Sequence, residues 1–448
     1  MIKKYTSFVL IILFVLIALF GSKQIIKNFA SDEQIELIKK YIYPYRRIAE
    51  QERAIVQYLY DINYLRGLNS RWEIGVKNSK ENITVGKSKD LKLTNGKILK
   101  KFIIANGFYS GIWNPIPGTG FIDFHKDNLF VVSSRGILAY SNNIENELSL
   151  RQIENNINEF IGIEQFNKSK KFSLKDLYIN QSKIYISYTE EKEKDCWTTS
   201  IIFSEVNYVF TEFKKLFSNK ECINSMQSRD GAFNAHQSGG RIFSYDDDHI
   251  LFSIGDYKER YYAQDESSIF GKIIRVNINN SDYEIISMGH RNPQGLLYDK
   301  EKNFILETEH GPMGGDEINL IEVNPDPDNE NKLPNYGWPV VSAGEHYGGR
   351  TPKNKQLYDK YPLYKSHIDH GFIEPLKSFV PSIAISEITR IGEKKYVIGA
   401  MGQGKRIGDQ SLYFFELDNE NKITNLEKVR VFKRVRDLIY KNNKLYVF

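Results

Sequence analysis

From Leu93 to Phe448 the chain is a succession of short β-rich runs with no helical stretch longer than two turns between them. Typical runs are NLFVVSS, GILAYS, KIYISYT, HILFSIGD, KIIRVNI, NFILETEHG, EINLIEV, KYVIGAM and SLYFFEL. Turn-forming clusters such as SNN, YDDD, NNSD, DNEN and KNN separate them. Runs of this length, rich in β-branched and aromatic residues and bounded by Gly, Asn and Asp, read as strands. Tyr and Phe number 28 and 27, which strengthens that reading. Many short strands restrict the fold to a sandwich, a barrel or a propeller. Pairs such as RIFSYDDDHILFSIGD read as hairpins. They recur about every 50 to 60 residues, a spacing compatible with propeller blades, although no strict repeat is visible.

The N-terminus is different in kind. Lys3 and Lys4 precede the uncharged stretch Tyr5–Ser22, whose centre, FVLIILFVLIALF, is aliphatic and aromatic. About 18 apolar residues rising 1.5 Å each just span a hydrocarbon core. A basic start and the absence of a small-residue cleavage site favour an uncleaved anchor over residues 1–30. Ser31-Asp32-Glu33 reads as a helix start, a capping serine followed by acids. Ile48, Ile55, Val56, Leu59 and Ile62 continue at helical spacing. We therefore expect a helical stalk over 31–69, a linker over 70–92 and an all-β domain over 93–448. This arrangement places the β domain outside the membrane, in the periplasm of a bacterium, anchored to the inner membrane.

The net charge of +5 over 448 residues is mild and has no basic block, so a nucleic-acid partner is not expected. Two cysteines occur, Cys196 and Cys222, and no CxxC pair. That spacing disfavours a zinc ribbon and leaves a disulfide open in an oxidising compartment.

Four polar, glycine-punctuated stretches carry residue types that cost stability unless used. Asn234–Ile242 sets His236 among small residues before a strand. Gly289–Gly295 offers the planar donors Arg291 and Asn292, suited to carboxylate or quinone oxygens. Glu309–Glu317 combines glycine, proline and acids in a way that can present carbonyl and carboxylate oxygens to a hard cation. Asn335–Pro339 is a compact aromatic corner.

Taken in order, HQSGGRI, GDYKERYYAQD, FGKIIRVN, GHRNPQG, EHGPMGGDEINLI, NYGWP and RVRDLIYKNNKLYV resemble the soluble-type quinoprotein glucose/sorbosone or aldose sugar dehydrogenases. The resemblance is strong from Ser228 to Ser342, moderate over Pro375–Phe448 and weak before Gly231. It implies a six-bladed β-propeller that binds pyrroloquinoline quinone (PQQ) and calcium at one end of its axis. It also implies oxidation of an aldose-type sugar at C1, with hydride transfer to the quinone. Electrons would pass to a membrane quinone or a soluble carrier. Residue by residue, His236 matches the catalytic base, and Arg291 and Asn292 match cofactor contacts beside the reacting carbonyl. Gly311 and Pro312 match the calcium-binding carbonyls. Arg434 and Arg436 match an R-x-R-D pair that engages the cofactor's acidic groups, converging if they alternate on a strand. Glu317 and the Tyr336 backbone resemble a second, structural calcium site. His290, His310 and His346 read as structural.

The sequence departs from the family pattern at several positions. Ala235 stands where an acid often precedes the base. Val380 stands where a tryptophan often stacks, with Ser382 keeping a hydroxyl close by. No lysine matches in SLYFFEL, and Lys405 in GQGKRIGDQ is the substitute. The family's first-blade substrate motif is faint in GTGFIDFHKDN. These differences keep a second expectation open: a catalytically inactive propeller that binds calcium and a carbohydrate or an envelope partner. Phe448 falls inside a strand-like run, so either an N-terminal segment of the domain covers the edge there or the sequence is a fragment.

Overall fold

The structure, a computed structural model, describes residues 82–83, 85–104, 120–142, 144, 148–169, 171–323, 333–402 and 409–448. The expected anchor over 1–30, the stalk over 31–69 and Lys405 lie outside the described residues. Among the described residues no helix is long and apolar enough to cross a membrane.

The strands form a β-propeller. Six innermost strands follow one another around a closed ring: Gly120–His125, Leu174–Asn180, Gly239–Ser244, Pro293–Asp299, Ile385–Arg390 and Leu438–Lys441. The first five each begin a blade of four or more strands that steps outward antiparallel. The six-blade expectation is therefore corrected to five blades among the described residues. The sixth place is taken by a hairpin, Leu438–Lys441 paired with Lys444–Val447. Among the described residues no further strand pairs outside this hairpin.

The N-terminal side of the domain compensates in part. Val85–Lys92 and Ile98–Ile104 form a separate hairpin. Its Leu91, Leu93 and Leu99 pack with Val397, Leu412, Val429, Leu438, Leu445 and Val447. The stretch 82–92, read as a linker from its sequence, thus carries strand, and Asn82–Ile83 adds to the first blade. Its polar, lysine-rich composition (VGKSKDLK) disguised an edge strand whose side chains are mostly exposed.

Burial falls off from the axis outward. Phe304–Glu309, the second strand of the fourth blade, is buried at every position, because blades cover both of its faces. Ile423–Arg430, the outermost strand of the fifth blade, is mostly exposed. Cys196, on the third strand of the second blade, is bonded to Cys222, with Cα atoms 5.4 Å apart. The bond closes a loop across 26 residues. Reduction is expected to lower stability by about 3 kcal/mol, from the loop entropy returned to the unfolded chain. A denaturation midpoint unchanged by dithiothreitol would contradict this.

At the axis Arg241 ties the blades together. Its Nη1 contacts Asp176 Oδ1 at 2.8 Å, Glu387 Oε2 at 2.7 Å and Asp437 Oδ1 at 2.9 Å. Its Nε donates to Gln294 O at 2.7 Å, and its Nη2 to Arg436 O at 3.1 Å. Asp437 Oδ2 in turn accepts from Ile122 N at 2.8 Å, which brings in the first blade. One buried guanidinium thus anchors the ring directly under Arg436.

Candidate active site

His236 lies on a short 3-10 turn, Ala235–Gln237, that leads into the innermost strand of the third blade. Asn234 Oδ1 caps the turn by accepting from His236 N at 3.1 Å. The turn is pressed against the neighbouring strand at Gly239, where φ is +60° and a Cβ would lie 2.8 Å from Gly255 N. A side chain there would displace the turn, so the glycine pair after the histidine sets its position.

Gln237 joins this turn to Arg291. With its carboxamide oriented to satisfy both neighbours, it donates to Asp256 Oδ1 and accepts from Arg291 Nη2, each at 3.0 Å. Asp256 Oδ2 accepts from Trp338 Nε1 at 2.8 Å. Burial pushes the Asp256 carboxyl up to about 6, against the pull of Arg291. Arg291 also sits over the Trp338 ring, 5.4 Å from its centre, and donates to His310 O at 2.6 Å. Its guanidinium is therefore held on three sides, as a preorganised donor must be.

Asn292 Oδ1 accepts from Gly239 N at 3.3 Å and from Gln294 Nε2 at 3.1 Å. Gln294 Oε1 accepts from Arg436 Nη1 at 2.6 Å. A continuous chain of hydrogen bonds thus runs from the His236 turn through Asn292 to Arg436. Arg434 donates to Met401 O at 3.2 Å and Gly402 O at 3.1 Å. Both arginines reach Met401 Sδ. The expected strand is absent, however: residues 434–437 are an extended segment that precedes the strand starting at Leu438.

Gly311 and Pro312 form a tight turn. A Cβ on Gly311 would fall 1.6 Å from Gly315 O, so no other residue fits. Ser382 Oγ accepts from Gly314 N at 3.0 Å and Gly315 N at 3.1 Å, and donates to Pro312 O at 3.3 Å. Ser382, read from the sequence as a cofactor contact, therefore supports the turn: its single proton is already given to Pro312 O. Arg291, Gly311, Glu317 and Tyr336 border one small cleft, with Glu309 and Trp338 between them. Burial and the nearby Glu309 hold the Glu317 carboxyl well above the usual carboxylate range.

The sequence reading missed several participants. Lys175, on the innermost strand of the second blade, donates to Ala235 O at 3.1 Å, beside the histidine. Burial and Arg436 push its ammonium down to about 7. Burial, then Arg241, brings Arg436 down to about 9. Lys258 is lowered by burial and then by Arg260 and Arg291, and Arg434 by burial. Lys175 reads as a strand lysine in SLKDLY, and only packing reveals its burial. Asp256 was within the quoted GDYKER motif but carried no role.

The comparisons with known proteins fit this geometry. The family model described as Glucose / Sorbosone dehydrogenase matches residues 170–448. The chain belongs to the glucose/sorbosone dehydrogenase family. Within it, the aldose sugar dehydrogenase YliI of Escherichia coli (strain K12) is 25% identical over 235 residues, 49% of this chain and 56% of that one. Quinoprotein glucose dehydrogenase B of Acinetobacter calcoaceticus is 31% identical over 149 residues, 27% of this chain and 29% of that one. A Synechocystis protein described as uncharacterized is 32% identical over 228 residues, 45% of this chain and 50% of that one. The chain thus spans about half or less of the curated relatives it matches. In fold it is similar to the apo form of the soluble aldose sugar dehydrogenase of Escherichia coli, with a TM-score of 0.56 at 20% identity, over 73% of this chain and 92% of that one.

Proposed function

We propose that this member of the glucose/sorbosone dehydrogenase family oxidises an aldose-type sugar at its C1 hydroxyl, using PQQ and calcium. The observation that carries the reading is a set of cations at the axis: Lys175, buried and donating to Ala235 O beside His236, and the part-buried Arg434 and Arg436, which meet at Met401 Sδ. Lys175, Lys258, Arg434 and Arg436 all lose affinity for their protons, and Arg436 Nε is buried without a hydrogen bond. Such a set suits a flat, polycarboxylate ligand such as PQQ, whose charge would compensate it. The Gly311–Pro312 carbonyls and the Glu317 carboxylate are hard oxygen donors of the kind calcium takes.

When bound, PQQ supplies a two-electron quinone acceptor and calcium a Lewis acid that polarises it. His236 accepts the proton of the sugar's C1 hydroxyl, a role suited to imidazole chemistry near neutral pH. Arg291, fixed by Gln237, Trp338 and His310, donates toward the acceptor's carbonyl oxygen. Arg434 and Arg436 hold the ligand's acidic groups. The N-terminal apolar run supports an enzyme exported to the periplasm and tethered to the inner membrane, from which electrons pass to a quinone or soluble carrier.

The test is dye reduction by purified protein given PQQ, calcium and a panel of aldoses. Sugar-dependent reduction that requires PQQ supports the proposal. No turnover with any sugar, with no quinone absorbance retained, sinks it. Ala235 and the exposed Val380 favour a second reading, a propeller that binds calcium without turning over. Calcium-dependent thermal stabilisation without PQQ binding distinguishes it.

Lys175 gives a pH prediction. Its folded value of about 7 lies below its ordinary 10.5. Between those values the unfolded chain holds a proton that the folded chain has released. The destabilisation is complete below pH 7 and is relieved as pH rises toward 10.5. Lys175→Met is expected to stabilise the free protein at neutral pH and to flatten its stability across that window. PQQ binding at pH 8 should take up a proton in the parent chain and not in the variant. Calorimetry in buffers of different ionisation heat measures this.

A further inference from the structure

Two adjacent strands of the fourth blade put several polar groups on one buried face. Glu307 pairs with Asn319, and Glu309 with Glu317, in antiparallel register. Side chains two apart on a strand, and those directly opposite, share a face. The turn entering this blade adds His290. His290 and Glu307 are fully buried, and Glu309 nearly so. Like charges placed opposite each other in a dry sheet are unfavourable unless something compensates them.

The geometry of this group is that of a ligand set. His290 Nδ1 lies 3.5 Å from Glu309 Oε1 and 3.8 Å from Glu307 Oε2. The three residues bring one donor atom each to within 4.8 Å of one another. A tetrahedral ion with bonds of about 2.1 Å spaces its donors about 3.4 Å apart. His290 Nδ1 and Glu307 Oε1 are buried and make no hydrogen bond. The other ring nitrogen, Nε2, is 2.8 Å from Ser287 Oγ, which can accept its proton and leave the Nδ1 lone pair facing the carboxylates. Asn319 Nδ2 clamps Glu307 Oε2 at 3.0 Å and Glu309 Oε1 at 3.1 Å. Tyr336 stacks on the imidazole at 5.0 Å and fixes its plane.

We propose that His290, Glu307 and Glu309 bind a divalent transition-row cation, with zinc the best fit. One imidazole with two carboxylates suits zinc, whereas calcium takes six to eight oxygens. Glu309 lines the same cleft as Gly311, but the donor set is different from the Gly311–Pro312 carbonyls and does not depend on sugar oxidation. Glu309 also accepts from Arg291 N at 2.5 Å, so the ion would stiffen the loop that carries the active-site arginine.

The full chain, stripped with EDTA and dialysed against excess calcium to fill oxygen sites, is incubated with Zn2+, desalted and analysed by mass spectrometry for metal. One zinc per chain is expected, with affinity falling at least roughly tenfold in Glu307→Gln and in His290→Gln. Manganese is expected to compete weakly. Absence of retained zinc, or equal retention by both variants, overturns the proposal in favour of a proton-held network. Should the variants fail to fold, anomalous diffraction at the zinc edge on the parent protein decides. A peak bonded to His290 Nδ1 supports the site; a peak elsewhere, or none, overturns it. Metal content is the readout, so failure here and failure of the sugar reading are distinguishable.

Discussion

Replacing His236 with alanine is expected to lower PQQ-dependent sugar oxidation by about 10²- to 10⁴-fold, the usual contribution of a positioned base. The fall should appear in kcat. Folding and calcium binding should survive, because Asn234, Gln237 and Gly239 hold the turn. Asn234 caps it through the His236 backbone, Gln237 braces it against Asp256 and Arg291, and Gly239 seats it. Steady-state kinetics with the best sugar, beside a thermal melt, separate the two effects. An unchanged rate in the variant removes His236 from the chemistry. A collapsed melt assigns it to the fold instead.

The largest stability effect is expected at Arg241. Arg241→Met leaves Asp176, Glu387 and Asp437 buried together without their cation. Breaking a buried ion pair from one side costs about 3–5 kcal/mol, and here three carboxylates lose the same partner. Even beside Arg241, burial lifts Asp176 to about 6 and Glu387 to about 8. The folded chain therefore holds protons on these groups that the unfolded chain has released. The stability they contribute is present below about pH 4 and is lost as pH rises through those folded values. Without the arginine they rise further, so the deficit of the variant should grow from acid toward neutral pH. Denaturant titrations at pH 5 and pH 8 measure it. A variant as stable as the parent at pH 8 would show that the ring closes without this hub.

The sequence made the fold class readable because strand period and turn chemistry are local. RIFSYDDDHILFSIGD is the hairpin its pattern predicts, Gly239–Ser244 paired with His249–Ile254. The blade count was less legible, since it depends on which strands lie beside each other after the chain closes its ring. Val85–Lys92 is too polar to announce a strand, and it pairs with Ile98–Ile104. The motifs read Glu317 and Tyr336 as a second calcium site apart from Arg291 and Gly311, whereas all four border one cleft. They could not show that Ser382 spends its proton on Pro312 O. Nor could they show that Lys175, from another blade, meets the carbonyl beside His236. His290 illustrates the limit most clearly. Glu307 and Glu309 share a face of one strand by their spacing, but only the fold brings His290 onto that face.

The proposed function requires the His236 turn, Arg291, the Gly311–Pro312 turn and Arg436 to serve a single anionic ligand. Equilibrium titration of the calcium-loaded protein with PQQ, followed by quinone absorbance, tests it most directly. We expect one PQQ per chain, with affinity reduced at least roughly tenfold by Arg291→Ala and likewise by Arg436→Ala, each removing a charge-assisted contact. Saturable binding unaffected by either substitution, or no binding at all, would contradict it.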